Sequence, residues 1–291
     1  MINSCFVKDS QKEVIIMAQS STNLNKVVAP ERVVVLRGSI NFRDLGGYRN
    51  QRGQLTKWRR IYRAASLGNL TASDRQLLSD LDIVHDIDLR SPSEQQSYPD
   101  QQWPGVQLIS NPLYPSSNFG RIVNHHRVRR FFNWRHAIPN LDNPVARIYQ
   151  NVILSNHSQQ AFATTFKTLL SQQNDDATVF HCAAGKDRTG MTAALILMAL
   201  EVPDDTIIQD YLLTNDLYHY SDTHEPPTND RIQRTVDQMN TKTGEALYIE
   251  GVLRTINEGY GGIAGYWRHA LQLSANDLKD FRQRFLTDPK N

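Results

Sequence analysis

The chain predicts an α/β fold, a short central mixed sheet flanked by helices, on three observations. Short apolar runs of strand length alternate with helix-period segments in the first half. One such run, Ala177-Thr178-Val179-Phe180, leads through a glycine-bearing turn into an apolar stretch from Met191 to Leu200 that suits a buried helix. From Pro144 onward nearly everything except Thr178 to Phe180 reads as helix. Strands interleaved with helices in this order build a sheet with helices packed against it.

Taken in order, Arg32 to Leu36 and Ile61 to Arg63 read as strands flanking a polar hairpin, Tyr48 to Arg59, with Gly53 at its turn. Thr71 then opens a helix: its hydroxyl can cap the first turn, Asp74 suits the positive helix end, and Leu77, Leu78 and Leu81 fall on one face. Ile83 to Leu89 returns as a strand and Gln107 to Leu113 as another. No internal repeat or low-complexity tract interrupts the pattern.

Bulk properties set the frame. At 291 residues, 40% of them hydrophobic, the chain can bury a sizeable core in one large domain or two. The organisation expected is a flexible leader over 1–30 and a single domain over 31–288, with insertions at about 114–143 and 215–231. A formal charge of +2 gives no reason to expect wholesale nucleic-acid or membrane-surface binding. Cys5 and Cys182 lie far apart, so no structural disulfide is expected. Met191 to Leu200 is about half the length that a bilayer crossing needs, so no stable membrane insertion is expected. Within the leader, the apolar run Val14 to Ala18 is too short for a secretory signal, which predicts a cytoplasmic protein; Met17 is an alternative start.

The chemistry concentrates in His181-Cys182-Ala183-Ala184-Gly185-Lys186-Asp187-Arg188-Thr189-Gly190. A chain that curls tightly between a strand and a helix can turn successive N–H groups inward into an anion nest, to which the helix adds its positive end. Ala183, Ala184, Gly185, Lys186, Asp187 and Arg188 are therefore the expected phosphate-binding residues, and Gly185 lets the turn close without steric conflict. A helix N-terminus and neighbouring cations favour the thiolate, which makes Cys182 the nucleophile at the floor. Arg188 offers a planar fork for two phosphoryl oxygens. Thr189 is placed for its hydroxyl to bond the sulfur when phosphate leaves. Asp187, alone among the loop residues, can carry a proton to the leaving oxygen; read blandly, it only favours the helix dipole. Asp88, at a strand end, is the second candidate donor, or a carboxylate that holds Arg188, Lys186 or the loop. His181 is expected to end the strand and support the loop backbone with its ring.

These residues resemble the Cys-x5-Arg-Ser/Thr signature of the cysteine-dependent protein tyrosine phosphatase superfamily. The Gly-Lys-Asp-Arg-Thr-Gly half is similar to its bacterial tyrosine and phosphoinositide phosphatase branch. Asn41-Phe42-Arg43-Asp44-Leu45-Gly46-Gly47-Tyr48 resembles that branch's opening motif, Tyr62-Arg63-Ala64-Ala65-Ser66-Leu67 its second, and Asp88-Leu89-Arg90-Ser91-Pro92-Ser93-Glu94 its third. Tyr248 to Leu273, with Ile249-Glu250 and Gly259-Tyr260-Gly261, resembles its helical C-terminal end. The likeness runs from about Val33 to about Leu286. Ala183 departs from it, standing where the branch often has Thr or Ser, and the stretch from Asn118 to Asn140 matches nothing in it.

The resemblance implies a protein tyrosine phosphatase-like fold and a metal-independent, cofactor-free phosphomonoester hydrolase acting through a cysteinyl-phosphate. Its partners would be phosphotyrosine proteins, with phosphoinositides and phosphoserine or phosphothreonine as further substrates and inorganic phosphate as product. Lys186 beside the nucleophile is what suggests mixed specificity.

Competing readings have weaker support. A metal at His181 lacks partners at ligand spacing, as do His125-His126 and His219-His224. Gly185-Lys186 is no Walker loop, because Asp187 replaces the required hydroxyl. The basic and aromatic stretch from Tyr114 to Asn143, with Arg121, Arg127, Arg129, Arg130, Phe131, Phe132, Trp134 and Arg135, reads either as a helical lid for phosphorylated ligands or as a solvated helix. Asn215 to Arg231, broken by Pro226-Pro227, is expected over the mouth of the site. A binding module that captures phosphorylated ligands without turnover is the alternative from another class. A redox or sulfur-transfer protein ranks last, for want of a resolving cysteine.

Overall fold

A computed structural model describes residues 30–114, 138–173, 175–217 and 243–288. The expected leader, most of both insertions and the lid fall outside these residues.

Five strands form one mixed sheet: β1 (Arg43–Asp44), β2 (Ile61–Ala64), β3 (Ile83–Asp88), β4 (Gln107–Ser110) and β5 (Ala177–His181), in the order β1-β2-β5-β3-β4. β1 runs antiparallel to β2, and every other pairing is parallel. β5 is therefore central and fully buried, and its side chains alternate between two cores. Ala177 and Val179 join Tyr62, Ala64, Leu78, Ile83 and Trp103 on one face. Phe180 and Cys182 join the larger core on the other, where the C-terminal helices pack. Alternation at period two is what lets one strand serve both cores.

The first face is covered by α1 (Ala72–Asp80), which begins as expected: Thr71 and Asp74 form a reciprocal capping box, and Leu78 is buried. A second box, Ser91 with Glu94, opens the short α2 (Pro92–Ser97). The other face carries α3 (Pro144–Leu154), α4 (Asn156–Ser171), α5 (Asp187–Ala199), α6 (Asp204–Leu212), α7 (Thr214–Leu217), α8 (Ala246–Tyr260), α9 (Ile263–His269) and α10 (Ala275–Phe285). Every residue of α5 is buried, so this helix is the spine of the larger core. None of the helices among the described residues is long and apolar enough to cross a membrane.

Two expected strands are corrected. Arg32 to Leu36 is not one: Pro30–Arg32 is a 3-10 turn, and only Val33 bridges, to Arg43. The Arg32 guanidinium turns inward onto the Asp44 and Gly46 carbonyls and over the Tyr48 ring, which draws the chain off a strand path. The strand from Gln107 stops at Ser110 rather than Leu113. Pro112 has no N–H for a ladder, and Asn111 turns inward, its side chain donating to Ala161 O at 2.9 Å. The hairpin between Tyr48 and Arg59 is present, bridged from Arg49 to Leu55, with Gly53 at φ +82° in the turn.

Candidate active site

The segment from Cys182 to Arg188 joins the end of β5 to the start of α5 at the carboxyl edge of the parallel strands. In open α/β sheets that edge is where ligands bind. Gly185 sits at φ +64°, and a Cβ there would stand 2.6 Å from the Ala64 carbonyl and the Ala65 nitrogen, so no other residue fits the curl.

What holds the curl comes from the first two sequence motifs. Ser66 N–H donates to Ala183 O at 3.1 Å. Asn41 Nδ2 donates to Ala184 O at 3.2 Å and Gly185 O at 2.9 Å, and an Arg63 Nη donates to Gly185 O at 2.8 Å. The carbonyls are thereby drawn outward. No hydrogen bond among the described residues engages the N–H groups of Ala183, Ala184, Gly185, Asp187 or Arg188. Buried amide donors need an acceptor, and a curl with its carbonyls turned away offers them to an anion.

Behind the curl lies a buried charge cluster. Asp210 on α6 pairs with Arg43 at 3.0 Å and Arg63 at 2.6 Å and accepts from the Tyr48 hydroxyl at 2.9 Å. Burial would raise its carboxyl, but the two guanidiniums outweigh that and hold it well below the usual range. Arg43 also donates to the Asn41 side chain, so one cluster orients both of the side chains, Asn41 and Arg63, that grip the loop.

Arg188 is held by Glu94, a residue of the third motif for which sequence reasoning proposed no role. The pair is two-pronged, at 2.7 and 2.8 Å. Burial acts to raise Glu94, but the Arg188 charge, with hydrogen bonds from Arg188 and Ser91, brings it down to about 2. Glu94 takes two of the five guanidinium N–H donors. The Tyr114 ring lies 5.3 Å from the guanidinium carbon. The capping-box spacing Ser91-x-x-Glu94 was the sequence signal that could have singled out this glutamate.

Asp187 is nearly enclosed. Its Oδ1 accepts from the Tyr149 hydroxyl, and its Oδ2 lies 3.6 Å from Lys186 Nζ. Burial outweighs Lys186, Tyr149 and Arg188 and raises the carboxyl above its usual range, which favours a proton-carrying form.

The expected roles of His181 and Asp88 need correction. The His181 ring does not support the loop backbone; it faces carboxylates, with Nε2 3.2 Å from both Asp86 and Asp100 and 3.9 Å from Asp88. Burial alone would discharge the imidazole, but Asp100, Asp88 and Asp86 together hold it protonated. Asp88 reaches neither Arg188 nor Lys186. Both its oxygens bind Arg90, at 2.9 and 2.7 Å, and its link to the loop runs through Arg90 to Ser66 Oγ at 3.0 Å. Among the described residues the buried Thr189 hydroxyl has no hydrogen-bond partner, so the expected bond to sulfur is not formed in this state.

Asp86, Asp100 and His181 place one donor atom each within 4.8 Å of one another, a spacing that a cation could bridge. The protonated imidazole already supplies positive charge there, and Arg90 adds its own at 2.8 Å from Asp100.

A sheet whose central strand ends in an amide-lined curl, with an arginine clamped beside a buried cysteine, defines a phosphatase of the α/β class. The chain belongs to the tyrosine phosphatase family, whose sequence model matches residues 34–287. It is 27% identical over 231 residues to a tyrosine-protein phosphatase of Nostoc commune, covering 76% of this chain and 72% of that one. It is 33% identical over 109 residues to the triple specificity protein phosphatase PtpB of Mycobacterium tuberculosis, covering 31% of this chain and 37% of that one. Among solved structures, P. aeruginosa TpbA matches with a TM-score of 0.32 and 11% identity, over 68% of this chain and 89% of that one.

Proposed function

We propose that this protein hydrolyses phosphotyrosine by two successive displacements at Cys182. The observation that carries this reading is the curl itself: the Ala183, Ala184 and Gly185 carbonyls are bound from behind, no hydrogen bond among the described residues engages the N–H groups of Ala183, Ala184, Gly185, Asp187 or Arg188, and Arg188 stands clamped beside it. In the first step Cys182 Sγ attacks phosphorus as the ester P–O bond breaks, and Asp187 gives its proton to the departing oxygen. In the second, water attacks the cysteinyl-phosphate, Asp187 takes up the water proton, and sulfur leaves with the bonding pair. The loop amides from Ala183 to Arg188 and the guanidinium stabilise the charge that builds on the phosphoryl oxygens, the largest contribution to such catalysis. In this reading the Thr189 hydroxyl, unpartnered among the described residues, donates to the sulfur as negative charge returns to it when phosphate departs. A reducing compartment such as the cytoplasm suits a free, buried nucleophilic thiol.

Lys186 adds a second cation at the loop, and a phosphoinositide headgroup carries more than one phosphate. This supports activity on phosphoinositides, and on phosphoserine or phosphothreonine, beside phosphotyrosine; the name of the mycobacterial relative points the same way. The test is phosphate release from a tyrosine phosphopeptide and from a phosphoinositide, by the wild-type chain and by Cys182→Ser. An enzyme of this kind loses turnover in the variant yet keeps affinity for the phosphopeptide. Absence of turnover in the wild type, with binding retained, would instead establish a phosphate-binding module.

A further inference from the structure

Gly190 closes the signature string, yet it faces away from the loop. A Cβ at Gly190 would lie 2.7 Å from Cδ2 and 2.9 Å from Cε2 of Tyr211. On the other edge of the same ring, a Cβ at Gly244 would lie 3.0 Å from Cε1 and 3.2 Å from the hydroxyl. The buried Tyr211 ring is thus clamped between two residues without side chains, on α6 behind the start of α5.

The clamp aims a hydroxyl. Tyr211 OH lies 2.9 Å from Tyr149 OH, with the two rings at 90° to each other, and Tyr149 OH in turn donates to Asp187 Oδ1. A phenol has one proton to give. Tyr149 gives its proton to the carboxyl, so Tyr211 is the donor in the tyrosine pair. The carbonyl oxygen of a carboxylic acid is its stronger acceptor, so a hydrogen bond from Tyr149 to Oδ1 favours the acid's own proton on Oδ2.

We propose that Tyr149, oriented by Tyr211, is a positioning residue that holds the Asp187 carboxyl in one rotamer and reserves Oδ2 for the proton given to the leaving oxygen. The proposal rests on the reading of Asp187 as proton donor. As the P–O bond breaks, the Oδ2–H proton moves to the departing oxygen, and the carboxylate left behind keeps the Tyr149 hydrogen bond. The bond tightens as charge appears on its acceptor, since hydrogen bonds to ionised groups are the stronger kind. Lys186 and Arg188 face the same carboxylate and share its new charge. Tyr248, its ring 5.8 Å from that of Tyr149, closes the third side from α8.

The test compares the full chain with Asp187→Asn, Tyr149→Phe and Tyr211→Phe on two substrates. 2,4-Dinitrophenyl phosphate has a leaving group that needs no proton; phenyl phosphate has one that does. Rates are compared as kcat/KM, which stops at phosphoryl transfer to sulfur and so leaves out the second displacement: Asp187→Asn should slow phenyl phosphate by about 10²-fold or more and the dinitrophenyl ester far less. Tyr149→Phe should lose about tenfold on phenyl phosphate and no more than about twofold on the dinitrophenyl ester, with Tyr211→Phe smaller in the same sense. Inhibition by vanadate should be unchanged in both phenylalanine variants, showing the anion loop intact. Equal losses on the two substrates, or none, would overturn the positioning role. Should Tyr149→Phe fail to fold, the same pattern is required of Tyr211→Phe. If Asp187→Asn itself shows no dependence on the leaving group, the proton-donor reading fails; if it does and the phenylalanine variants do not, only the positioning role fails.

Discussion

Arg188 and Glu94 show how a single residue pair can tie the proposed site to the stability of the fold. Both are buried, and each compensates the other's charge at 2.7 to 2.8 Å. Removing one partner from such a pair leaves an uncompensated buried charge, which costs about 3 kcal/mol or more. Glu94→Gln should therefore melt well below the wild type and bind vanadate more weakly, because Arg188 loses its orientation. The pH dependence follows from the direction of the shift. A glutamate ordinarily at 4.5 and held at about 2 in the fold adds stability above 4.5 and loses it as pH falls from there through 2. Asp100, also brought to about 2 against burial by His181 and Arg90, acts in the same sense. Asp44, raised to about 6 by burial, acts in the opposite sense, and its contribution fades as pH rises through 6. The gap in melting temperature between wild type and Glu94→Gln should narrow between pH 4.5 and 2. A gap constant across that range would show that Glu94 does not titrate as described.

Among the elements, the strand-loop-helix unit from Ala177 to Ala199 carries the proposed chemistry, and its weakest point sterically is Gly185. Ala there would carry a left-handed backbone, costing about 1–2 kcal/mol, and would press its Cβ onto the Ala64 carbonyl at 2.6 Å. β2 is hydrogen-bonded to β5 on one side and to β1 on the other, so it has little room to give way. Gly185→Ala should destabilise by more than about 2 kcal/mol and abolish vanadate binding, read by chemical denaturation and by inhibition. Retained vanadate affinity would mean that the curl has another way to form. The helix cap expected at Thr71 rests on residues three positions apart, as does the one found at Ser91, and such short-range geometry is why α1 was legible in sequence. The strand proposed over Arg32 to Leu36 failed for the opposite reason. Its continuous run of β-branched and apolar residues, Val33 to Leu36, suits a strand, but the long-range pull of Asp44 and Gly46 on Arg32 wins.

Across the whole molecule, Asp210 is the point where the sheet, the loop and the C-terminal helices meet. It joins Arg43 on β1 and Arg63 on β2 to α6, and Arg63 carries the connection on to Gly185. Asp210→Asn would leave two buried guanidiniums without their counter-charge, a loss of about 3–5 kcal/mol. Stability and turnover should fall together, by thermal unfolding and by aryl phosphate hydrolysis at saturating substrate. A variant as stable as the wild type would show that the cluster is incidental to the fold. The opening motifs look disconnected along the chain because they converge only here: Asn41, Arg43, Arg63 and Ser66 surround a loop that begins more than a hundred positions later.

The sequence by itself determined whatever neighbouring residues can settle: the strand, the glycine turn, the helix after it and the order of Cys182, Asp187 and Arg188 within one curl. Spacing along a backbone of known geometry is enough for that. Only the tertiary structure decided which carboxylate holds Arg188, which hydroxyl holds Asp187 and where the His181 ring turns. Those partners lie 94 positions away for Glu94, 38 for Tyr149, and on β3 and the loop after α2 for the aspartates. Contacts across such separations depend on the path of the whole chain and on which buried charges must be compensated, and one sequence read locally carries neither.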